Sequence, residues 1–237
     1  MKLTHLVAAI TCALSFSAQA LTYTQVALPT LNTNIETWSN GIAYDPYFPG
    51  AQTLGGIPFV LQQDRQGDKA FASGILTMDV DIADASTVYT LISTGWGLEG
   101  ATVGSISFRS NGGSWHTVNL VEGDNVRDHY YGNFVNTTTA SYVTQSVLGT
   151  NTEDTAHLDM QAFALPSIFH TEGLDRIVFV GFGNENHAPL NPNALDLRGV
   201  PFLAGVTVAA VPEPNSILML LGGLGMLGVM IRRRTDA

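Results

Sequence analysis

The chain has 237 residues, of which 13% are charged, 45% are hydrophobic and 24 are glycines. Charged residues make up about 25% of an average soluble protein, so this charge-poor composition excludes a disordered chain and a coiled coil. The 20 acidic and 10 basic residues give a net charge of −10 without any basic stripe, which excludes nucleic acid as a partner.

Residues 1–20 have the pattern of a secretory signal peptide. A lysine near the start is followed by an apolar run over 6–16, and Ala18 and Ala20 frame a small-x-small cleavage pattern. We predict cleavage after Ala20. A short buried helix and a lipoprotein signal are the weaker alternatives, because neither accounts for this order of charge, apolar run and small residues.

The only cysteine, Cys12, lies inside that segment, so the body of the chain has none. This excludes disulfides, cysteine-ligated zinc and cysteine nucleophiles from the mature protein. The body also carries most of the acidity, since residues 21–211 contain six basic and 18 acidic residues, a net charge of −12. We expect an extracellular protein whose fold is stabilised by core burial alone.

The body is predicted to form strands throughout. Residues 76–82 alternate between apolar and polar side chains, which is the period of a strand with one buried face. We identify no convincing amphipathic helix and no internal repeat. Eight to ten strands at this spacing predict a single all-β domain over 21–210, a β-sandwich or jelly roll. The predicted strands are 76–82, 87–93, 102–109, 115–121, 141–148, 158–165, 177–180 and 202–209.

A hairpin is predicted between the strands 102–109 and 115–121, because Ser-Asn-Gly-Gly at 110–113 provides turn residues between two β-rich runs. Trp115, at the start of the second strand, is expected to lie in the core.

The run from residue 54 to residue 128 resembles the galactose-binding-like jelly-roll modules of bacterial surface proteins and carbohydrate-active enzymes. The similar segments are Leu-Gly-Gly-Ile-Pro-Phe at 54–59, Val-Tyr-Thr-Leu-Ile at 88–92, and the strand and loop over 118–128. The sequence departs from those modules at His129, where they often have tryptophan, and at 108–112, where they usually have Tyr-Ala-Asp-Gly. The resemblance implies a jelly-roll fold, and such modules often carry a structural calcium ion.

Candidate site residues in the body are few. The loop residues Asp124, Asn125 and Asp128 are candidate calcium ligands because oxygen donors suit this cation. No other cofactor is expected. Candidate sugar-stacking aromatics lie in or beside loops of the segment that resembles the jelly-roll modules, namely Trp96, Tyr130 and Tyr131.

No serine-hydrolase, P-loop, dinucleotide-binding or zinc-protease motif is present. The body histidines, expected on surface strands or loops, are His116, His129, His157, His170 and His187. Two carboxylate pairs, Asp79 with Asp81 and Glu153 with Asp154, would suit a glycosidase but are better explained as exposed acids.

The C-terminal segment 211–237 has three parts. Val211, Pro212, Glu213 and Pro214 precede sixteen uncharged residues, 216–231, and the basic cluster follows as Arg232, Arg233 and Arg234. We predict a single transmembrane helix over 216–231. Sixteen helical residues span about 24 Å, somewhat less than the ~30 Å bilayer core. The arginines place the C-terminus in the cytoplasm and the body outside.

This order of Pro-Glu-Pro, apolar helix, basic cluster and chain end resembles the PEP-CTERM sorting signal of Gram-negative bacteria. The resemblance implies recognition by an exosortase, processing near Pro212-Glu213-Pro214, and delivery to the cell surface or the exopolysaccharide matrix. Before processing, we expect the protein to be anchored in the inner membrane with its body in the periplasm.

Two functions are therefore expected in order of preference. The first is a non-catalytic exported surface or exopolysaccharide-matrix protein that contacts carbohydrate. The alternative is a secreted hydrolase acting on polysaccharide, with an acid–base site assembled from scattered acids and histidines. Clustered acids in a deep cleft would favour the hydrolase, and dispersed acids on a flat sandwich would count against it.

Overall fold

The computed structural model describes residues 21–39, 44, 47–130, 135–139, 143–148, 156–182 and 199–211. The predicted signal peptide, Tyr131, and the tail from 212 onward lie outside these ranges. Within them, no helix is long and apolar enough to cross a membrane. Residues Thr22–Val211 form one compact unit.

The described residues form strands almost throughout, with one 3₁₀ helix at Ile35–Ser39 and one short α-helix. In chain order the elements are β1 (Thr22–Val26), β2 (Gly50–Leu54), β3 (Ile57–Leu61), β4 (Phe71–Ala72), β5 (Gly74–Ile82), β6 (Ala85–Gly95), β7 (Thr102–Ser110), β8 (Trp115–Val121), β9 (Val143–Leu148), β10 (Leu158–Ala164), α1 (Ile168–Glu172), β11 (Leu174–Gly181) and β12 (Val200–Ala210). The all-β prediction is confirmed.

The strands form two main antiparallel sheets and a separate hairpin. The first sheet has the order β1-β12-β6-β10-β9, and β4 also pairs with β12. The second has the order β5-β11-β7-β8, and β2 pairs only with β3. The predicted hairpin at 110–113 is present, because Arg109 on β7 pairs with Trp115 on β8.

The two main sheets pack face to face around one hydrophobic core, which is the arrangement of a β-sandwich. Strands of both sheets contribute side chains to this core, as Leu76 and Met78 do from β5 and Val206 and Val208 do from β12. Burying a side chain of this size contributes about 1.5–3 kcal/mol. The short helix α1 adds Phe169 to the same core.

A second hydrophobic cluster covers the outer face of the first sheet. Phe59 and Leu61 of the β2–β3 hairpin pack there with Leu91 and Phe202 from the sheet. Every residue of β12 is therefore buried, and β6 is buried from Thr90 to Gly95. The core strand β12 ends at Ala210, which pairs with Thr22 of β1. The first and last strands of the described body thus lie side by side.

Trp115 corrects one expectation about the core. Its side chain is 53% exposed, because Leu120 of the same strand points into the core and the two positions have opposite parity. The Arg109 guanidinium lies 5.9 Å from the centroid of the Trp115 ring, within the range of a cation–π contact.

Candidate functional site

A group of buried polar side chains lies at one end of the sandwich. It is formed by Tyr44, Thr94, Glu122, Asp128 and His129, which we call the end cluster. Thr94 is near the end of β6, and Glu122 follows β8 directly. Four of these residues are 0–2% exposed and Tyr44 is 3% exposed. Each polar group must therefore form hydrogen bonds with its neighbours, because burying it without them costs free energy.

The loop after β8 is fixed by its own side chains. The Asn125 Oδ1 accepts the Val121 N–H at 2.8 Å, and its Nδ2 donates to the Asn119 carbonyl at 2.7 Å. Further along, the Thr94 N–H donates to the Arg127 carbonyl at 2.9 Å, and the His129 N–H donates to the Thr94 carbonyl at 2.8 Å. This pairing with β6 carries Asp128 and His129 into the interior.

Asp128 is held by two backbone donors. The Trp96 N–H lies 2.6 Å from its Oδ2, and the Tyr130 N–H lies 2.7 Å from its Oδ1. Trp96 has φ 59°, a left-handed conformation that the first of these bonds helps to hold. Burial raises the pKa of Asp128 to about 7, although both hydrogen bonds act to lower it.

Glu122 is the least satisfied group of the end cluster. It is 1% exposed, and neither carboxyl oxygen has a hydrogen-bond partner of good geometry among the described residues. Burial raises its pKa to about 8; Asp128 acts in the same direction and the Thr94 hydroxyl in the opposite one. Glu122 is therefore mostly protonated at pH 7.

Two glycines make room for this carboxyl group. A Cβ on Gly199 would fall 2.5 Å from Glu122 Oε1, and a Cβ on Gly97 would come within 2.6 Å of Oε2 and closer still to Oε1. Any larger residue at either position would displace the Glu122 side chain.

His129 and Tyr44 form a neutral buried pair. The Tyr44 hydroxyl lies 2.6 Å from His129 Nδ1. Burial lowers the pKa of His129 to about 3 and raises the pKa of Tyr44 well above its ordinary value. The expectation that His129 lies on a surface loop is wrong. Its ring is enclosed by Trp38, with centroids 6.0 Å apart, and by Phe202, with centroids 5.3 Å apart.

A buried ion pair lies beside the end cluster. Arg127 donates to both carboxylate oxygens of Asp159, at 2.6 and 2.9 Å, and its Nη1 donates to the Asn136 carbonyl at 2.9 Å. Asp159 is fully buried and charge-compensated. His157 is also near, since its N–H donates to the His129 carbonyl at 2.7 Å, and burial lowers its pKa.

The predicted sugar-stacking residues lie at the same end. Trp96 is half-buried and its ring centroid lies 5.0 Å from that of Trp38. Tyr130 is half-buried next to Asp128. Stacking on a sugar stays a prediction for both.

The three predicted calcium ligands are used differently. Asp124 is exposed and accepts a hydrogen bond from the Thr139 hydroxyl at 3.2 Å, Asn125 fixes the loop, and Asp128 points into the end cluster. Within the described ranges, no three His, Cys, Asp or Glu side chains are grouped so as to hold a metal ion.

Sequence reasoning missed Glu122 and His129 as members of a site. The available signal was weak: Glu122 occurs in the loop Glu-Gly-Asp-Asn, which has the composition of an exposed turn. Of the two carboxylate pairs that would suit a glycosidase, Asp79 with Asp81 is not part of the end cluster: Asp79 is exposed and pairs with Arg176 at 2.7 Å. The other pair, Glu153 with Asp154, lies outside the described ranges.

Comparison with known protein families finds a match for the C-terminal segment. Residues 210–234 match the PEP-CTERM protein-sorting motif. The motif indicates an exported protein that is targeted to an exosortase-type processing enzyme and sorted to the cell envelope or surface. A search of curated proteins finds no match to this chain.

Proposed function

We propose that the protein is a non-catalytic component of the cell surface or the exopolysaccharide matrix, which the sorting motif delivers and whose body contacts carbohydrate. The observation that carries the proposal is the position of the motif. It starts at residue 210, where the core strand β12 ends. Cleavage beyond Val211 would therefore leave every described strand of the sandwich intact.

Strand pairing at the N-terminal end of the domain supports the same proposal. Thr22 of β1 pairs with Ala210 of β12, and Val26 pairs with Val206. The first strand thus begins two residues after the predicted signal cleavage at Ala20. Removal of both end segments would produce a domain that retains its sheet edges. The signal peptide, the membrane helix over 216–231 with the body in the periplasm, and the jelly-roll connectivity are parts of this proposal.

The sorting part is tested by intact mass and cell fractionation in a host that has an exosortase. Changing Pro212, Glu213 and Pro214 to alanine should leave the protein membrane-bound and uncut. Changing the three arginines 232–234 to serine should weaken retention, whereas changing them to lysine should not. Thr235→Ala, just outside the matched residues, is the matched control. If the alanine variant is cut and located as the wild type is, the segment is an ordinary anchor.

The carbohydrate part rests on the adjacent rings of Trp38 and Trp96 beside the buried end cluster. Half-buried indoles present an apolar face on which a sugar ring stacks. A glycan array and an exopolysaccharide pull-down, each with and without calcium, test it. Trp96→Ala should abolish binding, and Trp115→Ala, which removes an exposed indole from the β8 surface, should not. No binding by the wild type would leave a purely structural role.

One observation favours the alternative of a secreted hydrolase. Two carboxyl groups with raised pKa values, Glu122 and Asp128, lie beside the Tyr44–His129 pair, and such clusters are common in active sites. Against it, both carboxyl groups are 1–2% exposed, so a polysaccharide could not reach them without opening of the structure. If the wild type released reducing sugar from polysaccharide and Glu122→Gln did not, the hydrolase function would replace our proposal.

A further inference from the structure

The chain leaves its last strand at the end of the sandwich opposite the end cluster. Ala210 of β12 pairs there with Thr22 of β1 and with Ala85 of β6. Residues 83–84 connect β6 to Ile82, the last residue of β5 in the second sheet. We call this end of the two sheets the exit end, because the sorting motif follows it directly.

Four large apolar side chains are exposed at the exit end. They belong to Tyr23, Trp115, Ile168 and Val211, which we call the exit surface. Tyr23 and Trp115 lie within two residue pairs of this end on β1 and β8, and Ile168 is on α1, which connects β10 to β11 there. A single exposed apolar residue is ordinary, so the significance of these four depends on what the exit end meets.

The chain between the exit end and the predicted membrane segment is short. Four residues, 212–215, separate Val211 from Ser216, where the apolar segment 216–231 begins. Fully extended, the five steps from Val211 to Ser216 reach at most about 18 Å, at ~3.6 Å each. The headgroup layer accounts for about 5–8 Å on each side of the hydrocarbon core. With the segment inserted, the exit end therefore stays within about 13 Å of the headgroups, and such tethering makes even weak contacts frequent.

The side chains of the exit surface suit a lipid interface. Tryptophan and tyrosine are enriched at the headgroup level of membranes, because each has an apolar ring with one polar group. Trp115 and Tyr23 supply one of each, from different sheets. Ile168 and Val211 add aliphatic surface of the kind that enters the boundary between headgroups and acyl chains.

The charges near the exit end favour zwitterionic over anionic lipid. Arg109 and Arg176, which pair with each other across β7 and β11, are already engaged by acids. Asp175 accepts from Arg109, and Asp79 accepts from Arg176. Because the body is acidic and these two cations are neutralised within the fold, an anionic surface would gain little from them.

We propose that the exit surface rests on the headgroups of a zwitterionic bilayer while the tail anchors the protein. This inference depends on the proposed membrane helix and goes beyond it, because a tail alone does not orient the body. It directs the end cluster outward: Thr94 pairs with Pro201, nine residues before Ala210 on β12, a distance of about 30 Å along the strand. Trp96, beside the end cluster, then faces away from the membrane, where polysaccharide has access.

The test measures which tryptophan contacts lipid. The chain has three tryptophans; Trp38 and Trp96 lie together at the end cluster, and Trp115 is at the exit end. The exported, uncut chain is purified from a host without an exosortase and reconstituted in vesicles of phosphatidylcholine with bromine on the acyl chains next to the headgroup. Bromine quenches tryptophan fluorescence at short range. Quenching relative to unbrominated vesicles is expected in the wild type and in Trp96→Phe, and it should be lost in Trp115→Phe.

A charge placed on the exit surface separates docking from mere tethering. Ile168→Asp should reduce the quenching by about half or more, because a carboxylate opposes entry into the interface. Leu98→Asp, which places the same charge at an exposed leucine of the opposite end, should leave the quenching unchanged. Equal quenching in Ile168→Asp would show that tethering alone brings Trp115 near lipid, and would overturn the proposal.

Retention on the vesicles after an alkaline wash reports the membrane helix separately. If the wild type is retained but its fluorescence is not quenched, or is quenched equally in Trp115→Phe, the exit surface alone is refuted. If the wild type is lost to the supernatant, the membrane helix is refuted and this inference fails with it.

Discussion

Replacing Glu122 with glutamine should make the stability of the protein less dependent on pH. Burial raises the pKa of Glu122 from its ordinary 4.5 to about 8. The folded protein therefore binds this proton more tightly than the unfolded chain does. The free energy of unfolding should fall as pH rises from about 4.5 to about 8, and it should be independent of this group outside that window.

The magnitude follows from the same values. At about 1.4 kcal/mol per pH unit, the rise from 4.5 to about 8 corresponds to roughly 5 kcal/mol between the two ends of the window. Glutamine cannot ionise, so this loss should be absent in the variant. Exchanging the carboxyl group for an amide also changes the free energy of unfolding by a constant offset that does not depend on pH. Near pH 4.5 the variant should thus differ from the wild type by this offset alone, and above pH 8 it should be more stable by several kcal/mol beyond it.

Urea unfolding at constant ionic strength between pH 4 and 9 measures this difference. Other groups titrate in the same range: Asp128 acts in the same direction, and His129 in the opposite one, because its lowered pKa costs stability as pH falls from 6.5 towards 3. These contributions are common to both proteins and largely cancel in the difference. Asp124→Asn, an exposed change in the same loop, should reproduce the wild-type profile. Parallel profiles for wild type and Glu122→Gln would refute the buried, uncompensated carboxyl group.

Three further predictions concern stability at constant pH, each measured by urea unfolding. Gly97→Ala should destabilise the folded protein by about 1–3 kcal/mol, because its Cβ would overlap the Glu122 carboxyl group. Leu98→Ala, at a 59% exposed neighbour, should change stability by less than about 0.5 kcal/mol, and equal effects would contradict the close packing of Gly97 against Glu122. Arg127→Ala should lower the free energy of unfolding by about 3–5 kcal/mol, because it leaves the buried Asp159 unpaired. The matched Arg176→Ala, which breaks an exposed pair, should lower it by less than about 1 kcal/mol. A small loss for Arg127→Ala would show that Asp159 finds another partner. Phe202→Ala should cost about 3–5 kcal/mol, because the ring is fully buried beside Trp38 and His129; a loss near 1 kcal/mol would mean that the second cluster collapses around the cavity.

Several features of this protein could be predicted from local sequence. The alternation over 76–82 predicted β5, and the turn at 110–113 predicted the β7–β8 hairpin, because both signals depend only on neighbouring residues. The sorting motif was recognisable for the same reason, since it is a short linear pattern at 210–234.

Other features depend on contacts between distant segments. Strand β1 was not predicted, because its partner β12 lies some 190 residues away in sequence. Both faces of strand β12 are buried only because a hairpin covers the outer face of its sheet. Trp115 is exposed because the register of β8 directs Leu120 inward.

The end cluster was decided entirely by tertiary structure. Glu122 and Asp128 lie in a loop whose composition predicts exposure to water. They are buried because that loop pairs with β6 at Thr94 and packs against Gly97 and Gly199. Local sequence specifies which groups a segment carries, but whether a carboxyl group keeps its water depends on the segments that fold over it, and desolvation then decides its charge.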